Sequence, residues 1–240
     1  MPVTLNQTHL THTKKINLGA FYTPKIYVDT VWSKIKKYIQ SNSIVLDSSC
    51  GYGNFFNIDY NSNITKIAND IDEIACDITR DNFKNIKVFN KNALNNVSRD
   101  MFNIDKNKHL IIIGNPPYND TTSIIRNKIK NNNLLIDNDL KTRDYGISFL
   151  LSYAKLEADI ICVLHPLSYL IKKANFNLLK SFSNKYKLID CTIIDSSTFK
   201  ETSKGISFPI IIALYKKDSN GMDYEYIKNF EFKTIDRHLT

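Results

Sequence analysis

The stretch Leu110-Ile111-Ile112-Ile113-Gly114-Asn115-Pro116-Pro117-Tyr118 decides how the rest of the chain is read. Its apolar half does not alternate with polar residues, as expected for a strand buried on both faces in a parallel sheet. The polar half begins where that strand must end. In an open α/β sheet the crevice beyond the carboxyl ends of the strands is where ligands bind. The two prolines carry no N–H and restrict the residues around them, so backbone carbonyls are left facing outward. An Asn amide oxygen beside a free Pro carbonyl suits a planar NH2 group, which has two protons to be held and a nitrogen to be used. Asn-Pro-Pro is also ordinary turn punctuation, so its neighbours must carry the reading further.

Working outward, apolar runs recur at Ile44–Asp47, Thr65–Asp70, Lys87–Asn90, Asp159–Pro166, Lys187–Asp195 and Phe208–Lys216. Helical periodicity falls between most of them. Residues 23–40 place Ile26, Val31, Ile35 and Ile39 near one face, and 71–83 and 147–156 also read as amphipathic helices. Alternating strand and helix predicts a doubly wound, mostly parallel sheet of seven strands. The last two strands are joined only by residues 196–207, with no convincing helix. A parallel return needs a long crossover, so the final strand is expected to be antiparallel. Residues 119–144, with Asn131-Asn132-Asn133 and the basic residues Arg126, Lys128, Lys130, Lys141 and Arg143, read as an irregular segment at the carboxyl edge.

At 240 residues, with 42% hydrophobic and 23% charged side chains, the chain has the composition of a globular domain and can bury one good core. Its apolar runs are far shorter than the roughly 20 residues of a spanning helix, and the N-terminus lacks a signal-peptide core, so a cytoplasmic location is expected. Cys50, Cys76, Cys162 and Cys191 are dispersed, without metal-ligand spacing. They read as buried, reduced thiols, and no metal site is expected. A net charge of +8 is compatible with a polyanionic partner.

Upstream, Ile44-Val45-Leu46-Asp47 runs into Ser48-Ser49-Cys50-Gly51-Tyr52-Gly53-Asn54-Phe55. Gly51 and Gly53 permit a tight turn and close approach of backbone to a ligand. The third glycine of a dinucleotide fingerprint is missing, since Phe56 occupies its place, which argues against pyrophosphate. Asp47 at the strand end is poorly placed for a phosphate and well placed for a cation. Asp70 ends the next strand, where a carboxylate typically meets ribose hydroxyls, while Asp72 suits a helix N-cap. Asn92, after the third strand, can present an amide to a purine edge. A ligand with ribose, adenine and a positive centre but no phosphate is S-adenosylmethionine.

These residues resemble the N6-adenine DNA methyltransferases with the gamma order of motifs. Gly19-Ala20-Phe21-Tyr22-Thr23-Pro24 looks like their motif X, Asp47–Phe55 like motif I, and Asn115–Tyr118 like motif IV. The likeness extends more weakly through Asp144–Leu151, His165-Pro166 and Phe199, covering about residues 18–217. The resemblance implies a class I, Rossmann-like methyltransferase. Tyr22, Thr23, Pro24, Asp47, Gly51, Gly53, Asp70, Ile71 and Asn92 would bind S-adenosylmethionine: Thr23 at the methionine carboxylate, Asp47 near its amine, Asp70 at the ribose, Ile71 against the adenine and Asn92 at its amino group. Asn115, Pro116, Pro117 and Tyr118 would hold a target adenine flipped out of duplex DNA, with Phe199 as a second aromatic face. His165 reads as structural rather than as a proton carrier.

Ser48 replaces the usual Pro of motif I, and Asn92 a commoner Asp. Residues 1–217 would form the catalytic domain, with 1–18 an extension, and 218–240 a tail that is either an edge strand or the start of a recognition region. Members of this class normally carry a target-recognition domain after the catalytic one. Base specificity is therefore expected from a partner subunit, from a longer chain, or from an enzyme that reads few bases, in a restriction-modification or related setting. Asn-Pro-Pro-Tyr also occurs in methyltransferases acting on release-factor glutamine or RNA bases. A non-catalytic, nucleic-acid-binding subunit is the remaining alternative.

Overall fold

The computed structural model describes residues 23–58, 64–118, 134–195 and 208–234. Tyr22, Phe199, the link 196–207 and most of the irregular segment, 119–133, lie outside the described residues.

Among the described residues eight strands form one sheet: β1 (Ser43–Asp47), β2 (Thr65–Asp70), β3 (Lys87–Asn90), β4 (His109–Gly114), β5 (Ile160–Pro166), β6 (Tyr186–Asp195), β7 (Pro209–Lys217) and β8 (Lys233–Thr234). Their order is β3-β2-β1-β4-β5-β7-β6-β8. The five strands from β3 to β5 are parallel, and β7 lies antiparallel between β5 and β6. The seven expected strands are thus present, with β7 reversed as expected. The strand count is corrected by β8, which pairs parallel with β6 through Thr192 and Ile193. Its two residues are too short for a periodicity signal, and it is held by the tail that precedes it. Met222 and Ile227 enter the main core, and the Tyr226 hydroxyl donates to Leu188 O at 2.7 Å.

The unbroken apolar run of β4 is explained by its two covered faces. Leu110 and Ile112 enter one core cluster, and Ile111 and Ile113 enter the other. Helix α1 (Lys25–Ile35) and a 3-10 turn to Tyr38 cover the second face. Here the helical phase differs from expectation. The buried stripe is Tyr27, Val28, Val31, Trp32 and Ile35, while Ile26 is 59% exposed. The aromatic rings of Tyr27 and Trp32 bury more surface than Ile26 can, and the Trp32 indole donates to Phe55 O at 2.6 Å, locking α1 to the loop after β1.

Helix α2 (Glu73–Asn82) starts at Asp72, whose carboxylate caps Ile74 N at 3.0 Å. Helix α3 (Tyr145–Lys155) is capped by Asp144. It is not amphipathic as expected: every residue from Gly146 to Ala154 is buried. The short helices α4 (Ser168–Ile171), α5 (Lys173–Leu178) and α6 (Lys180–Ser183) follow β5, and α6 packs on α3. Helix α7 (Tyr224–Lys228) packs on α4. All four cysteines are free and buried. Among the described residues no helix is long and apolar enough to cross a membrane.

Candidate active site

Strand β1 has β2 on one side and β4 on the other, so the chain order reverses at β1/β4. That is the switch point where an open α/β sheet leaves a crevice for ligand. Asp47 and Gly114 are the last residues of these two strands. A β-carbon on Gly114 would lie 2.8 Å from Asp47 Oδ1, and Gly114 has φ +146°. Only a glycine lets the carboxylate of β1 sit against the end of β4, one residue before Asn115.

Asp47 is 1% exposed. Its Oδ1 accepts from Ser49 N at 3.1 Å, while Oδ2 has no partner among the described residues. Burial raises its carboxyl to about 8, against the Ser49 N–H that lowers it, and the Asp70 charge adds a smaller upward push. A buried carboxylate with a free oxygen is costly unless a cation meets it. This orphaned oxygen fits the ammonium end of an amino-acid-bearing ligand. The Ser48 hydroxyl lies beside the Tyr153 phenol, without full hydrogen-bond geometry at either oxygen.

The turn after β1 is fixed from β2. Asp70 Oδ2 accepts from Gly51 N at 2.8 Å and Oδ1 from Asp72 N at 3.0 Å. Its carboxyl is raised by burial even though these N–H groups favour the anion. A carboxylate has further lone pairs, which fit vicinal hydroxyls. Gly51 and Gly53 both have positive φ, 53° and 81°, and a β-carbon on Gly53 would lie 2.8 Å from the Phe83 ring. Ile71, directly after Asp70, is 54% exposed, as suits a side chain that covers a planar ring. Asn92 is more committed than expected: Oδ1 accepts from Leu94 N at 3.0 Å and Nδ2 donates to Leu135 O at 2.6 Å.

Thr23, Asn115 and Tyr118 are brought together. Asn115 Nδ2 donates to Thr23 Oγ1 at 3.2 Å, and the Tyr118 hydroxyl donates to Asn115 Oδ1 at 2.5 Å. Thr23 is buried, Pro116 is buried, and Pro117 and Tyr118 are half-buried. Burial holds the Tyr118 phenol above its ordinary range, so it remains a neutral donor. Pro24 occupies the N-cap position of α1 and fixes Thr23 to a rigid helix start.

His165 lies in the interior of β5. Nδ1 is 3.0 Å from Pro166 O and Nε2 is 2.7 Å from the Tyr215 hydroxyl. Pro166 O can only accept, so Nδ1 carries the proton and Nε2 accepts from Tyr215. Burial lowers its pKa to about 4, in keeping with a structural histidine.

Two residues escaped the sequence reading. Asn69 is fully buried in β2. Its Nδ2 donates to Ser48 O and Lys91 O, both at 3.0 Å, and Oδ1 accepts from Lys91 N at 3.0 Å, tying together the loops after β1 and β3. An Asn inside an apolar strand, where Asn is disfavoured, is the signal that could have found it. Gly114 is the other; it read as the end of an apolar run.

A doubly wound sheet with this switch-point site defines a class I S-adenosylmethionine-dependent methyltransferase fold, and S-adenosylmethionine is the cofactor. The chain belongs to the N-6 DNA methylase family, which it matches over residues 6–179. Among solved structures it is similar to a Vibrio vulnificus protein assigned as a modification subunit of a type I restriction enzyme. The identity is 16% and the TM-score 0.59, over 88% of this chain and 48% of that one. It is also similar to a Listeria monocytogenes protein assigned as a class I S-adenosylmethionine-dependent methyltransferase, with 11% identity and TM-score 0.56 over 88% of this chain and 64% of that one. The chain therefore spans about half the length of the Vibrio protein. No curated protein matches the sequence.

Proposed function

We propose that this methyltransferase modifies the N6 amino group of adenine in DNA, with the target base flipped out of the helix and held by Asn115, Pro116, Pro117 and Tyr118. One observation carries the reading: a β-carbon on Gly114, the residue just before Asn-Pro-Pro-Tyr, would lie 2.8 Å from Asp47 Oδ1, so the segment starts directly against the Asp47 carboxylate. The groups suited to hold a planar amine therefore adjoin the carboxylate suited to the cofactor's cationic end.

The exocyclic nitrogen of adenine is a poor nucleophile because its lone pair is delocalised into the ring. Asn115 Oδ1 and the Pro116 carbonyl accept its two hydrogens and favour a pyramidal nitrogen with its lone pair free. When bound, S-adenosylmethionine supplies an electrophilic methyl group on a sulfonium, so transfer is direct. Thr23 and Tyr118 fix the rotation of the Asn115 amide, and holding groups at near-attack geometry can lower a barrier by on the order of 7 kcal/mol or more. Tyr118, with Phe199, offers an aromatic face worth about 1–3 kcal/mol to an unstacked base. No general base is assigned; the product cation is acidic enough to release its proton to Asn115, the Pro116 carbonyl or water. The family and the +8 charge favour DNA as acceptor, and a separate specificity subunit as the source of base recognition.

The test is transfer of labelled methyl from S-adenosylmethionine to DNA, with RNA and a protein extract as parallel acceptors, followed by nucleoside analysis. Label in N6-methyladenine, nearly abolished by Asn115→Ala with cofactor affinity retained, is expected. Label confined to RNA or protein would overturn the substrate assignment.

A further inference from the structure

Gly146 lies in the first turn of α3 and its φ is not positive, so no backbone strain calls for a glycine there. A glycine inside a helix weakens it relative to alanine. The reason for its presence is space. A β-carbon on Gly146 would lie 2.5 Å from the Tyr169 hydroxyl, 3.1 Å from Tyr169 Cε2 and 3.2 Å from Tyr118 Cβ. Tyr169 and Tyr118 therefore converge on one missing methyl, and Tyr118 is the last residue of the Asn-Pro-Pro-Tyr segment.

Tyr169 is a fixed surface for that convergence. It is buried, its hydroxyl donates to Asp144 Oδ1, and its ring stacks on His165 with centroids 5.4 Å apart and planes 10° apart. His165 stacks in turn on Tyr215 at 6.0 Å and accepts from its hydroxyl at 2.7 Å. This layering ties Tyr169 to β5 and β7. Asp144 Oδ1 also accepts from Gly146 N at 2.9 Å and Ile147 N at 3.4 Å, and Thr142 Oγ1 donates to Asp144 O at 2.6 Å. One carboxylate oxygen thus holds both the Tyr169 ring and the start of α3.

From this surface the geometry runs to the Asn115 amide. The Tyr118 hydroxyl donates to Asn115 Oδ1 at 2.5 Å, so where Tyr118 Cβ rests against Gly146 decides where that hydroxyl reaches. We infer that Gly146 and Tyr169, with Asp144, are positioning residues for methyl transfer: they set the depth of Tyr118 and, through its hydroxyl, aim Asn115 Oδ1 at the amine to be methylated. None of the three is among the residues assigned to the cofactor, so their effect falls on transfer. This deepens the reading of Asn-Pro-Pro-Tyr as the target site and rests on it, though on no particular acceptor.

The experiment measures kcat for the full chain on whichever of DNA, RNA or protein extract the wild type labels, paired with calorimetric titration with S-adenosylhomocysteine. Gly146→Ala should lower kcat on the order of 10- to 100-fold, with S-adenosylhomocysteine affinity within about twofold of wild type. Tyr169→Phe, which adds no bulk, should lower kcat about fivefold by releasing Asp144. In the Tyr169→Phe background the added methyl no longer meets a hydroxyl at 2.5 Å, so Gly146→Ala should cost less than it does alone. In a Tyr118→Phe background either substitution should add little, because the hydroxyl through which they act is gone. If Gly146→Ala does not fold, Tyr169→Phe and Tyr118→Phe complete the same cycle. Wild-type kcat in Tyr169→Phe and in folded Gly146→Ala would overturn the inference. So would a loss of cofactor affinity that matches the loss of kcat, or full additivity with Tyr118→Phe. Label in RNA or protein in place of DNA would overturn the DNA assignment and leave this cycle to decide the inference. Absence of transfer to every acceptor by a wild-type chain that binds S-adenosylhomocysteine would remove the target-site reading itself, and the inference with it.

Discussion

Gly114→Ala tests the junction between cofactor and target sites most directly. The added methyl meets Asp47 Oδ1 at 2.8 Å and Cγ at 3.3 Å, and Asp47 is 1% exposed, so the buried carboxylate must shift to admit it. The backbone at φ +146° adds about 1–3 kcal/mol for a residue with a β-carbon. At about 2–4 °C per kcal/mol for a chain of this size, the melting temperature should fall by roughly 2–12 °C. Displacing the carboxylate also weakens a charge-assisted contact worth about 1.5–3 kcal/mol, so affinity for S-adenosylmethionine should fall on the order of 10- to 100-fold. Calorimetric titration and thermal unfolding read both effects. Repeating the substitution in an Asp47→Ala background separates them: the backbone cost should persist, and the further loss of cofactor affinity should vanish. Unchanged cofactor affinity in Gly114→Ala, or an equal loss with and without the Asp47 carboxylate, would refute the proposed contact.

Asp70→Ala should weaken S-adenosylmethionine at least about tenfold, by removing the acceptor that also anchors Gly51 N; unchanged affinity would remove the ribose assignment. Burial pushes the Asp47 carboxyl up to about 8 in the folded state, from an ordinary 3.8, so its ionisation opposes folding. The ligand-free protein should lose stability as pH rises from about 4 through 8, and the melting-temperature gain from Asp47→Asn should be larger at pH 9 than at pH 5. An equal gain at both would contradict it. His165 titrates near 4 when folded, against 6.5, so the folded state binds fewer protons between those values and stability should be lost as pH falls from about 6.5 toward 4. Thermal unfolding of His165→Gln should show a flatter acid limb, and an unaltered limb would exclude His165 as its source.

Strand positions were readable in the sequence because burial on both faces leaves a continuous apolar run, as in Leu110–Ile113, and such runs mark strands without knowledge of their neighbours. Helix phase was less readable. Ile26 and Tyr27 are adjacent, and a short segment's periodicity tolerates either on the buried face; the contact of Trp32 with Phe55 O settles the rotation. Helix α3 carries polar residues such as Ser148 and Ser152 that suggest an open side, yet both are buried, with the Ser152 hydroxyl turned onto Phe149 O at 2.8 Å.

Asp47, Asp70 and Asn115 could be named from sequence because each follows an apolar run, and a polar side chain at a strand's carboxyl end has few structural reasons to be there. Order along the chain was enough to predict a doubly wound sheet and a cofactor with a cationic centre and a ribose. Tertiary structure alone decided which loops meet. Asp47 and Gly114 are 67 positions apart in sequence, and their close approach exists only because β1 and β4 are neighbours. Asn92 and Leu135 are joined across 43 positions because the chain between them returns to the same edge of the sheet. Local propensity acts over a few residues, whereas these contacts depend on strand order, which no single segment encodes.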